Sequence, residues 1–232
     1  MSESSSGLAE NYARLEAAIA RACLACGRDP AEVRLLAVSK SQPLAVLRAA
    51  LAIGLHQFGE NRVKEMAAKA DELGPGISWV LIGHLQRNKV ALAARVIDEL
   101  QSLDSLALAG ALQRQSVDGS AIRRLPVLVE VNTSGESSKS GILPERLLEF
   151  TTALRDYPGL EPRGLMTVAH PDPALAAQGF ARLAELRRRL QDRDGGGWAE
   201  LSMGMSGDFA AAIAHGSTCL RIGTALFGQR QA

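Results

Sequence analysis

Eight short apolar runs, separated by seven stretches of helical periodicity, limit what this chain can fold into more than any other feature. The runs fall near residues 35–38, 56–58, 79–82, 96–100, 127–131, 163–166, 199–202 and 219–222. The helical stretches between them cover 44–52, 63–73, 89–94, 106–115, 144–154, 173–192 and 209–215. Alternation of this kind means parallel strands, because each helix carries the chain back along the sheet. A run apolar at successive positions, such as Leu35 to Val38, suits a strand covered on both faces. Eight is the number that closes an α/β barrel of the TIM (β/α)8 type. Such a barrel needs eight outer helices. A helical pattern over 8–27, with Gly27 as C-cap and Pro30 as a stop, supplies the missing one. An open doubly wound sheet is the alternative, but no G-x-G-x-x-G follows the first run. The expectation is one barrel domain over 1–232, with residues 1–7 flexible.

Composition removes several function classes. A net charge of +1 with scattered basic residues gives no footprint for nucleic acid or a membrane surface. Few aromatics leave no stacking platform for bases. A chain of 232 residues buries roughly 70% of its unfolded surface, so it needs no disulfide or metal to hold its core. Cys23 and Cys26 have C-x-x-C spacing but lie in a helical pattern with no second pair, which reads as helix packing. His84 and His170 stand near strand ends without metal-ligand spacing, so no metal is expected. The polar N-terminus lacks the apolar stretch of a signal peptide, and no run is long enough to span a bilayer. The protein is expected in the cytoplasm.

Lys40 is the residue to which chemistry can be tied first. It follows the first strand and precedes the helix opened by Pro43, at the carboxyl end of a strand, where barrels bind their ligands. The chain has five lysines against twenty-one arginines, so lysine is not its ordinary surface cation. A partly desolvated amine there can attack a carbonyl and form a Schiff base; the plain reading is a lysine snorkelling to solvent. The last two strand-end loops suit a phosphate. Ser206-Gly207 opens the helix near Phe209, and Gly223-Thr224 follows strand eight, the two positions barrels use for phosphate. Their plainer reading is a helix cap and two turns. Arg221 projects beside them and can bind phosphate, donate to an aromatic nitrogen, or pair with a carboxylate. Met203 and Met205 alternate around Gly204 and read as packing or as a pocket wall.

Seven motifs then stand in one order. They are Ala37-Val38-Ser39-Lys40, Phe58-Gly59-Glu60-Asn61, Ile82-Gly83-His84-Leu85-Gln86 with Asn88-Lys89, and Ser138-Lys139-Ser140-Gly141. Gly164-Leu165-Met166, Ser202-Met203-Gly204-Met205-Ser206 and Arg221-Ile222-Gly223-Thr224 with Phe227-Gly228 complete the set. Together they resemble the pyridoxal-phosphate homeostasis proteins, single-domain relatives of the alanine racemase barrel. The resemblance implies that Lys40 holds pyridoxal 5′-phosphate as an internal aldimine. It implies a phosphate site at Ser206, Gly207, Gly223 and Thr224, and Arg221 facing the pyridine nitrogen. Asn61 and Met203 would lie by the cofactor, and Lys139 would serve a secondary cofactor site. The implied role is vitamin B6 homeostasis, buffering the cofactor and delivering it to apoenzymes, without established catalytic turnover. Arg62 and Gln42 depart from residues seen in relatives, a tyrosine and a basic residue respectively.

The resemblance implies a carrier more than an enzyme. A racemase needs a second base; related racemases use a tyrosine from a second domain of a partner subunit. The barrel consumes this chain, and its only tyrosines, Tyr12 and Tyr157, fall away from the strand-end loops. A monomer is expected for the same reason. Weak racemase activity stays open. So does a Schiff-base aldolase acting on a phosphorylated carbonyl, for which Glu60 is the loop candidate as acid and base.

Overall fold

The computed structural model describes residues 3–117, 124–136 and 139–228. Its strands are β1 (Arg34–Val38), β2 (Gln57–Glu60), β3 (Ser78–Leu81), β4 (Glu99–Leu103), β5 (Leu125–Glu130), β6 (Leu160–Met166), β7 (Glu200–Ser202) and β8 (Cys219–Ile222). Each pairs in parallel with the next, and β8 closes on β1 through Leu36 and Arg221 among other partners. The barrel expected from the alternation is therefore formed.

The helices are α1 (Glu3–Ala25), α2 (Leu44–Ala52), α3 (Val63–Leu73), α4 (Val90–Ala94), α5 (Leu106–Val117), α6 (Leu147–Ala153), α7 (Pro173–Asp194), α8 (Phe209–Ala214) and α9 (Thr224–Phe227). Helix α1 packs on α2, α8 and α9 and so fills the gap in the outer ring. It begins at Glu3, earlier than the periodicity from Leu8 suggests. It buries Leu8, Leu15, Ile19 and Cys23 at helical spacing, while Cys26 stays exposed beyond its end. Arg28 ties this corner to α8, donating to the carbonyls of Ile213 and Ser217 at 2.9 and 2.8 Å. Among the described residues no helix is long and apolar enough to cross a membrane, and no group of three side chains could hold a metal ion.

Side-chain parity along each strand decides what reaches the site. On β1, Ala37 faces the helices while Leu36 joins Val80 and Cys219 in a separate cluster inside the barrel. The inward series Arg34, Leu36, Val38 thus climbs the interior towards Lys40. On β7 and the residue after it, Leu201 and Met203 pack in the outer core. Ser202 instead hydrogen-bonds to Gln101 and Arg221 inside.

Two strands differ from the apolar-run reading. β4 begins at Glu99, three residues later than the run at 96, because its inward residues are polar: Glu99 and Gln101 are both buried. β6 starts at Leu160, with Pro162 accommodated where its register against β5 shifts. The four-residue α9 after β8 has no signal at helical period.

Candidate functional site

A cavity of about 240 Å³ opens at the carboxyl ends of β1, β7 and β8. Lys40 and Gln42 line it from the first loop, Ser206 and Gly207 from the seventh, and Gly223 and Thr224 from the eighth. Arg221 forms part of its wall from inside the barrel, and Val38, Ile82 and Met205 give it apolar surface. Three loops far apart in sequence meet here because β1 and β8 are neighbours in the closed sheet, with β7 next to β8.

The phosphate-type loops are joined to each other. Ser206 Oγ accepts from the backbone N–H of Ala225 at 3.2 Å, fixing the seventh loop against the start of α9. Asp208 accepts from the backbone N–H of Met205, which closes the turn carrying Ser206 and Gly207. Among the described residues, the backbone N–H groups of Ser206, Gly207 and Thr224 are not taken up by these bonds. They are donors suited to an anion at the cavity's edge.

Arg221 is 5% exposed. Its Nη1 donates to Ser202 Oγ at 2.8 Å and its Nη2 to the carbonyl of Thr167 at 2.7 Å. Among the described residues no carboxylate pairs with it, so the salt-bridge reading does not apply. The hydrogen-bond chain continues downward. Ser202 Oγ is 2.6 Å from Gln101 Oε1, Gln101 donates to Glu99 at 2.7 Å, and Glu99 meets Arg34 at 2.7 Å. Arg34 also holds Glu200 at 2.6 Å, so a polar column links the cavity floor to the opposite mouth of the barrel. Burial pushes the Arg221 guanidinium below its ordinary value, opposed by nearby Glu130 and Asp208. An arginine stays charged even so. Ser202→Ala would leave Arg221 Nη1 and Gln101 Oε1 without this partner. It is expected to cost about 2 kcal/mol, read as a lower denaturation midpoint at an unchanged slope.

The remaining expected residues, Asn61, Met203 and Lys139, are not among those that line this cavity. Met203 is fully buried in the outer core, because its strand parity turns it to the helices; Met205, 39% exposed, takes the place at the wall. Asn61 follows β2, and its Oδ1 is buried with no hydrogen-bond partner among the described residues. Lys139 pairs with Glu136 at 2.6 Å and donates to the carbonyl of Ala169 at 3.2 Å. Its neighbour Ser138 lies outside the described residues. Arg62 is exposed at the start of α3.

Glu60 is fully buried, hydrogen-bonded to Ser39 Oγ and paired with Lys69, and does not line the cavity. The aldolase reading thereby loses its acid–base candidate. Tyr12 lines a separate cavity with Pro30 and Gly54, at the amino ends of the strands, and Tyr157 sits in the turn before β6. Neither tyrosine reaches Lys40's cavity. Sequence reasoning quoted Ser202 in a motif without giving it a task, and missed Gln101, Lys69 and Glu65. Polar residues inside strand runs were the available signal, together with a lysine on the inward face of α3.

The family model described as the alanine racemase N-terminal domain matches residues 8–231. The Pyridoxal phosphate homeostasis protein of Pseudomonas aeruginosa is 46% identical over 228 residues, covering 97% of this chain and 96% of that one. The Escherichia coli protein of the same name is 40% identical over 233 residues, covering 96% and 97%. Among solved structures, PipY of Synechococcus elongatus with pyridoxal phosphate bound superposes with a TM-score of 0.82. It is 35% identical, over 95% of this chain and 100% of that one. Alanine racemase from Corynebacterium glutamicum gives a TM-score of 0.69 at 19% identity; 97% of this chain covers 61% of it, a likeness of fold.

Proposed function

Because this chain belongs to the alanine racemase N-terminal domain family, and within it to the pyridoxal phosphate homeostasis proteins, we propose that it binds pyridoxal 5′-phosphate covalently through Lys40. Its role is then to hold the cofactor and pass it to apoenzymes. The observation that carries this reading is one cavity bringing an amine, a set of anion donors and a buried guanidinium together. When bound, pyridoxal phosphate supplies a carbonyl carbon open to an amine and a pyridine ring able to withdraw electrons.

Each residue has a task that its chemistry fits. Lys40 is the nucleophile for the carbonyl carbon. Ser206, through its hydroxyl, and Gly207, Gly223 and Thr224, through backbone N–H groups, hold the phosphate. Val38, Ile82 and Met205 cover the ring with apolar surface. Arg221 uses two terminal N–H groups on Ser202 and Thr167 and keeps others for the ring nitrogen. A permanently charged donor there excludes a proton from that nitrogen, which weakens the ring as an electron sink. The placement of both tyrosines outside the cavity supports the same conclusion, a carrier in place of a two-base racemase.

The visible absorption spectrum tests the proposal. The wild-type protein with pyridoxal phosphate is expected to show a yellow band that borohydride fixes onto the peptide containing Lys40. In Lys40→Ala the band and the attachment are both lost. A protein that stays colourless with added cofactor would remove the reading.

A further inference from the structure

The lysine loop is held from below by a second, buried lysine. Lys69 on α3 is 7% exposed, and its three ammonium hydrogens have three acceptors. They go to the carbonyl of Ser39 at 2.7 Å, Glu60 Oε1 at 2.7 Å and Glu65 Oε1 at 2.8 Å. The two carboxylates then reach the residues flanking Lys40. Glu60 accepts from Ser39 Oγ at 2.6 Å, and Glu65 accepts from the backbone N–H of Ser41 at 2.6 Å. Ser41 has φ of 62°, a left-handed conformation that a residue with a side chain keeps only where its surroundings impose it.

The geometry points to a positioning role: the Glu60–Lys69–Glu65 cluster clamps both sides of Lys40 and so sets where its amine emerges into the cavity. None of the three side chains lines the cavity, so they act through the loop and not on a ligand. The cluster bridges β2 and α3 to β1, and its bonds are charge-assisted, the stronger kind. A loop held this way keeps an amine at one place and angle, which governs how readily a covalent bond to it forms and is released. This inference rests on the reading that Lys40 carries the cofactor.

Glu65 is the place to test it, because its side chain is partly exposed and its loss leaves the buried Glu60–Lys69 pair intact. In the full-length protein without cofactor, amide exchange at Ser41 is expected to rise about tenfold in Glu65→Ala, the effect of losing one charge-assisted bond. Glu65→Gln keeps the accepting oxygen without its charge and is expected to restore most, not all, of the wild-type protection. With pyridoxal phosphate loaded, the Lys40-dependent visible band is expected to decay several-fold faster in Glu65→Ala when an acceptor apoenzyme is added, and close to the wild-type rate in Glu65→Gln. Unchanged Ser41 exchange in Glu65→Ala would overturn the clamp. So would faster exchange with an unaltered rate of band decay. Absence of any band in the wild type would instead count against covalent binding at Lys40, with the exchange measurement still deciding the clamp by itself.

Discussion

Gly164→Ala is expected to lower the thermal midpoint by about 10 °C, a loss of at least about 3 kcal/mol for a chain of this size. A Cβ at Gly164 would stand 2.0 Å from the carbonyl oxygen of Glu200 and 2.6 Å from its carbon. Both are backbone atoms of the adjacent strand, so no side chain can turn away to make room. The pair Gly164 and Glu200 is in register between β6 and β7, and β7 has only three residues. Separating the strands there would cost a large share of β7's pairing. It would also move Ser202, in register with Met166, on which Arg221 depends. Gly7→Ala is the matched control. That exposed helical position has nothing within 4 Å of the added carbon, and the change is expected to stabilise by up to about 1 kcal/mol. Thermal unfolding followed by circular dichroism reads both. Equal midpoints for the two variants would contradict the close approach at the sixth and seventh strands.

Glu130→Gln is expected to stabilise the protein above pH 7 and to leave it unchanged in acid. Glu130 is inside the barrel at the end of β5 and is 8% exposed. Burial pushes its carboxyl up from 4.5 to about 7, nearby Asp104 adds to the rise, and Arg221 and His84 oppose it. Unfolding returns the group to its ordinary value. Its folded value is the higher one, so the stability it contributes is complete below 4.5 and is lost as the pH rises through about 7. The shift corresponds to about 3 kcal/mol at most. A glutamine cannot ionise and escapes this loss. The difference between variant and wild type should therefore be flat below 4.5, grow across the window and level off above about 7. Denaturant midpoints at both ends of the window measure it. A difference independent of pH would mean that Glu130 ionises in the fold as it does in water.

The period of the sequence carried the architecture. Runs such as Leu35–Val38 and the helical stretches between them are local properties, set by which side of one element must leave water. They placed eight strands and the helices α1 to α8, and with them the loop in which Lys40 stands. The pairing of Ser206-Gly207 with Gly223-Thr224 was legible for a related reason. Once strand order is known, the ends of neighbouring strands must share one rim.

What the period could not carry is which polar side chain meets which. Arg221, Ser202, Gln101, Glu99 and Arg34 form one column only because the barrel closes, and successive partners are separated by 19 to 101 positions apart from the Gln101–Glu99 step. The register that aligns them includes irregularities between β4 and β5 and between β5 and β6, which no apolar pattern encodes. Met203 illustrates the same limit at a single residue. Its neighbourhood to the site is evident from the chain, but only its parity in the closed sheet turns the side chain outward and leaves the wall to Met205. Lys69 lies 29 positions beyond Lys40, on a helix whose amphipathic face alone would never have asked for a buried cation. The fold satisfies it with Ser39, Glu60 and Glu65, and those partners exist together only after β1, β2 and α3 have packed.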